Sequence, residues 1–148
     1  MALFRTAAGR VPVVCGVLFV LLALLVPAVA AATEFPYDRD FILDAARMGR
    51  AKRVPMLTVQ ANGEATVKLW CKDVPARVQI AGNGIRIEPG PLPDALPIYM
   101  SDGQCSPERM QADVDFLAVL AQTNAWQSRG DSLVLSGPTV LKFLQSTH

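Results

Sequence analysis

Beyond its first thirty or so residues, the chain alternates apolar and polar positions in short bursts, each closed by a turn signal. Val54 to Gln60 and Glu64 to Trp70 flank Ala61-Asn62-Gly63. Asn-Gly is a strong hairpin signal, because both residues tolerate positive φ. In the second arm Ala65, Val67 and Leu69 share one face, while Glu64, Thr66, Lys68 and Trp70 share the other. A period of two predicts one buried and one wet face, with Trp70 on the wet parity. Cys71 ends that strand. Val78 and Ile80 alternate with Arg77 and Gln79, Gly82-Asn83-Gly84 turns the chain, and Ile85 and Ile87 alternate on the return. Phe41-Ile42-Leu43 reads as a first strand, or as the opening of a helical turn with Ala45-Ala46. Ahead of it, Phe35-Pro36-Tyr37 reads as an aromatic anchor on the body.

One stretch changes period. Ser106 is a good N-cap, Pro107 suits the first helical position, and Glu108 suits the first turn. Met110, Val114, Leu117, Leu120 and Ala121 then form one stripe, which predicts a helix over about 107–122 packed through those side chains. Asp113 and Asp115 fall off the stripe. Two residues apart on a helix they do not face each other, so they read as a solvated face. Ala125 to Arg129, Leu133 with Leu135, and Leu141 with Phe143 predict three closing strands, separated by Gly130-Asp131 and Gly137-Pro138. The expectation is an α+β, mainly β fold of seven or eight strands with one helix. Pro89, Pro91, Pro93 and Pro97 exclude regular structure from most of the segment 89–104, a candidate binding loop.

The N-terminus has a different character. Arg5 and Arg10 precede an apolar run from Val11 to Val29, and Ala28-Val29-Ala30 follows a breaking Pro27. A basic start, an apolar middle and a small-residue exit predict a secretory signal peptide over residues 1–32, cleaved after Ala30 or Ala32. The competing reading is an uncleaved anchor, since the run is near spanning length. On the first reading residues 33–148 are a single domain, periplasmic or secreted, touching the membrane only through the signal peptide before cleavage.

Charge and cysteines follow from that division. All 13 acids lie after Ala32, whereas Arg5 and Arg10 of the 14 bases leave with the leader, so the net charge moves from +1 to −1. So even a balance excludes a nucleic-acid binder that works by neutralising phosphates. Cys15 also leaves, and Cys71 with Cys105 form an even pair in an exported chain, which argues for one disulfide. The only histidine is His148, the last residue, which leaves Ser-His and Cys-His catalysis and His-based metal sites without a base. No cofactor is expected. Arg50, Lys52 and Arg53 belong to a basic cluster that reads either as an acidic-partner patch or as a solvated loop. With Trp70 and Trp126 they are the candidate binding residues.

The order of these marks resembles the META domain, the family of the heat-shock protein HslJ. The resemblance rests on Cys71 at the end of an early strand, Cys105 just before the helix, and Phe116-Leu117 with Leu120 within it. It continues through Gly130-Asp131-Ser132-Leu133-Val134-Leu135 and Val140-Leu141-Lys142-Phe143. It implies an incomplete antiparallel β-barrel with a packed helix, and a role in envelope stress, drug tolerance or secretion with no established catalytic residues. Two places depart from the family pattern: Leu69-Trp70-Cys71-Lys72, and Ser101-Asp102-Gly103-Gln104. Functions tied to the missing residues therefore do not carry over. Three functional expectations stand. One is a monomeric, non-catalytic envelope protein whose partner is an envelope protein or a small apolar ligand. Another is a small periplasmic protease inhibitor. The last is a hydrolase using carboxylates from different strands, such as Glu64 with Glu88.

Overall fold

The computed structural model describes residues 33–45, 53–97, 103 and 105–147. The expectations for residues 1–32, and for Arg50 and Lys52, lie outside the described residues.

Eight strands follow one another around a closed antiparallel barrel. They are β1 (Asp40–Leu43), β2 (Met56–Val59), β3 (Glu64–Lys68), β4 (Asp73–Ala81), β5 (Gly84–Pro89), β6 (Ala125–Arg129), β7 (Ser132–Ser136) and β8 (Leu141–Gln145). The single helix among the described residues, α1 (Pro107–Ala121), lies between β5 and β6 in sequence and packs against β5. The alternation read from the sequence is the barrel's inside-outside alternation. Leu57, Val67, Val74, Ile87, Leu133, Leu135 and Phe143 are almost wholly buried and fill the interior.

The barrel closes where β1 pairs with β8, with Phe41 opposite Gln145 and Leu43 opposite Phe143. Its weakest seam is β5–β6, where Gly84 and Ala125 are the only register pair. Two backbone bonds hold that seam, Ile85 N–H to Asn124 O at 3.1 Å and Trp126 N–H to Asn83 O at 2.9 Å. Beyond it α1 takes over as the neighbour of β5. The barrel is thus closed rather than incomplete, and the seam is the place where it comes nearest to opening.

The turns carry their own chemistry. Gly63 takes φ 84°, and its N–H donates to Gln60 O while Gln60 N–H donates to Glu64 O. Only glycine of the Asn-Gly pair is left-handed, so the connection is a three-residue loop ending in αL rather than a two-residue turn. Gly82 (φ 56°) and Gly130 (φ 57°) hold the first loop positions of the β4–β5 and β6–β7 hairpins. Gly137 has a packing reason instead: a Cβ there would sit 2.6 Å from the carbonyl oxygen of Gln122. Phe35 is buried, 5.0 Å from Tyr37 and 5.0 Å from Trp126 between ring centroids, so the aromatic anchor docks as expected.

The helix starts as predicted, with Ser106 as N-cap and Pro107 at its first position. Its buried face is rotated from the expected stripe. Asp113, Phe116, Leu117 and Leu120 are buried, while Met110 and Val114 are 38% and 47% exposed.

Candidate functional site

The most constrained corner of the molecule is the connection between β3 and β4. Leu69 N–H donates to Lys72 O at 2.7 Å, so Trp70 and Cys71 form a tight two-residue turn. No glycine, asparagine or proline marks it in the sequence. Its backbone donors are satisfied from elsewhere. Trp70 N–H donates to Asp113 Oδ1 at 2.9 Å. Cys71 N–H is shared between Oδ1 at 3.3 Å and Oδ2 at 3.2 Å. Lys72 N–H donates to Oδ2 at 3.1 Å. One carboxylate on α1 therefore caps three successive amides of a turn more than 40 residues away. Asp113 has no accessible surface. The expectation of a solvated Asp113 is overturned, because these amides need an acceptor once the turn is buried.

The electrostatics of this carboxylate are a balance. Burial pushes its pKa above the ordinary value of 3.8, and the Cys71, Trp70 and Lys72 amides and the Arg53 guanidinium pull it back without cancelling the rise. Arg53 itself is not part of an open basic patch. It forms an ion pair with Asp73 at the start of β4 and bonds Lys72 O at 3.4 Å. Of the basic cluster, the described member is spent on the corner.

Cys71 and Cys105 are joined, with Cα atoms 5.7 Å apart. The disulfide ties this corner to the residue before the N-cap of α1. Trp70, expected on the wet parity, is 9% exposed and meets Phe116 edge-on with ring centroids 5.8 Å apart. The tight turn resets the strand's alternation and folds the indole onto the helix. Its Nε1 is buried without a hydrogen-bond partner. Trp126 is buried as well, and its Nε1 donates to Gly82 O at 2.8 Å. Both tryptophans are therefore placed in the body, one against α1 and one at the β5–β6 seam.

Glu64 and Glu88 lie on the same outer wall but are held apart. They stand in register on either side of Arg77. Two strands of separation put their backbones about 10 Å apart. Glu64 accepts from Asn62 Nδ2 at 3.2 Å, and Glu88 pairs with Arg86 at 2.8 Å. These residues line an open groove of about 590 Å³ whose walls also include Gln60, Thr66, Pro75 and Gly90. The Pro-rich segment leaves the groove's end, held by Gly90 N–H to Pro75 O at 2.8 Å and by Lys72 Nζ to Pro93 O at 2.6 Å. Among the described residues no cluster of His, Cys, Asp and Glu could hold a metal ion.

The sequence profile of the META domain matches residues 40–148. The chain belongs to the META domain family. Two solved structures share the fold of this META domain. One is an NMR structure of a protein from Burkholderia xenovorans, 16% identical, with TM-score 0.54, covering 76% of this chain and 84% of that one. The other is an NMR structure of a protein 13% identical, with TM-score 0.50, covering 72% and 87%. At such identities the likeness is one of fold. No curated protein sequence matches the chain.

The residue that sequence reasoning missed is Asp113. Its signal was present: Asp113, Phe116, Leu117 and Leu120 stand at i, i+3, i+4 and i+7, a complete helical stripe with an acid at its head. Choosing the stripe through Met110 and Val114 hid it.

Proposed function

We propose that this META domain is an exported cell-envelope protein with a non-catalytic binding or structural role, in envelope stress or drug tolerance. The observation that carries this is the use made of Asp113. The most deeply buried carboxylate among the described residues, with its proton affinity raised by burial, is committed through both oxygens to backbone amides. It serves architecture and has no accessible surface. The surface best suited to a partner is the groove over β3, β4 and β5, where Arg77 stands between two glutamates already engaged by their neighbours. A basic leader, an apolar run and an Ala-Val-Ala exit support export.

Two measurements test this. Cell fractionation with N-terminal sequencing is expected to find a chain beginning at Ala31 or Thr33 in the envelope fraction; an intact leader on cytoplasmic protein would refute export. Isotope-labelled protein titrated with envelope phospholipid micelles, and separately with an envelope-protein extract, is expected to show saturable shifts at Glu64, Arg77 and Glu88. Arg77→Ala should abolish them, and shifts confined to other faces would refute the groove. A protease-inhibitor reading has one observation of its own. Pro91, Pro93, Asp94 and Ala95 are exposed on a segment anchored at Gly90 and Pro93, as a presented loop requires. A panel of secreted proteases separates the two, since only an inhibitor slows one of them at stoichiometric concentration.

A further inference from the structure

The groove over β3, β4 and β5 owes its shape to two rows of outward residues. Glu64, Arg77 and Glu88 form the tall row, in register across the three strands. About 7 Å further along the strands lies a row of small residues. There Thr66 stands opposite Pro75, and Gly90 N–H donates to Pro75 O at 2.8 Å. A Cβ at Gly90 would already sit 3.0 Å from that oxygen. The small row is a trench and the charged row its wall. Together they enclose about 590 Å³, a volume typical of small-ligand sites.

The charges of the wall are unequally spent. Glu64 accepts from Asn62 Nδ2, and Glu88 pairs with Arg86. Arg77 is exposed between them, yet among the described residues its guanidinium makes no ion pair and no hydrogen bond. The Thr66 hydroxyl and the Gln60 amide also line the groove without a hydrogen-bond partner among the described residues. An uncommitted fork of N–H donors beside a trench is complementary to a carboxylate. Its neighbours limit the charge it accepts, because a second anion beside the first would face Glu64 or Glu88. Arg77 lies on the middle strand. A chain laid across the three strands therefore meets it with a side chain, and Thr66 and Gln60 can bond that chain's amides.

We propose that the groove, taken as the partner surface described above, binds a peptide segment that presents one acidic side chain to Arg77 between neutral or basic neighbours. Recognition is of charge order rather than of net charge. The negative–positive–negative row selects a positive–negative–positive segment, and the same two glutamates that flank Arg77 reject a segment that is acidic throughout.

The test titrates isotope-labelled protein with three alanine-flanked peptides whose centres are Lys-Glu-Lys, Lys-Gln-Lys and Glu-Glu-Glu. Lys-Glu-Lys is expected to shift Thr66 and Arg77 saturably. Lys-Gln-Lys should bind about tenfold more weakly, as the loss of one charge-assisted hydrogen bond requires. Glu-Glu-Glu should bind more weakly than Lys-Glu-Lys despite its greater negative charge. Arg77→Gln, with its fold checked by unchanged amide protection in the barrel, should bind the Lys-Glu-Lys and Lys-Gln-Lys peptides alike. Equal binding of those two by the unaltered protein, tightest binding of Glu-Glu-Glu, or shifts confined to other faces would each overturn the inference. If no peptide binds while an envelope-protein extract still shifts Glu64, Arg77 and Glu88, the ligand class is wrong and the groove stands. Silence with both discards the groove as well.

Discussion

Strand β3 is bounded by two turns built on opposite principles. At its start, Asn62-Gly63 makes the β2–β3 turn from local chemistry: Gly63 supplies the left-handed residue and Asn62 Oδ1 accepts Glu64 N–H at 2.9 Å. At its end, Trp70-Cys71 makes the β3–β4 turn with residues that have no turn preference. There the acceptor comes from a helix and the tether from a cysteine, both far along the chain. A local turn can form before the fold does. The second turn can be stable only once α1 has arrived, so it reports on tertiary assembly.

The most decisive way to break this contrast is Asp113→Ala. It leaves the Trp70, Cys71 and Lys72 amides buried without an acceptor, and should cost about 3–5 kcal/mol in urea unfolding of the oxidised protein. A loss under 1 kcal/mol would mean that the turn holds itself. Cys71→Ser comes next. With 34 residues of separation between the cysteines, the loss of the cross-link should cost about 3–4 kcal/mol by the same assay. On the local side, Gly63→Ala must adopt φ 84° with its Cβ 2.8 Å from Val78 O, and should cost about 1–2 kcal/mol. Its effect should leave amide protection at Trp70 to Lys72 unchanged, whereas Asp113→Ala should abolish it.

Two smaller effects sharpen the picture. Trp70→Phe removes a buried indole N–H that has no partner while keeping the edge contact to Phe116, and should be neutral or stabilising by up to about 1 kcal/mol. A clear destabilisation would place a hydrogen-bonded water at Nε1. The pH dependence has a definite sign. Asp113 holds its proton more tightly in the folded state than in the unfolded chain, so the folded protein binds more protons in the window above pH 3.8. Its contribution to stability is greatest below that value, falls as pH rises through the folded pKa, and is flat above it. Asp113→Asn should remove that segment of the stability profile.

The same contrast explains what could be read from sequence. The β2–β3, β4–β5 and β6–β7 hairpins were legible because period-two alternation and glycine turns are local signals. The helix start was legible for the same reason, through Ser106 and Pro107. The β3–β4 hairpin was not. Trp70-Cys71-Lys72 reads as the end of a strand, so β4 seemed to begin near Arg77 although it starts at Asp73. Its cause is Asp113, and a carboxylate on a helix reveals its purpose only when its amide partners are in place. Arg53 read as part of a basic patch or a solvated loop for a related reason: its partner Asp73 is 20 residues away and adjacent only through the barrel.

The closure of β1 on β8 has a consequence for how the domain can be mounted. Phe41 faces Gln145, and Ser146 N–H donates to Asp40 O at 2.8 Å, so the first strand opens where the last one finishes. The start of β1 and the end of β8 therefore share one rim. The domain is thereby suited to insertion into a host loop as a plug-in cassette, and its strands to cyclic reordering with a short linker over that rim and new ends cut elsewhere.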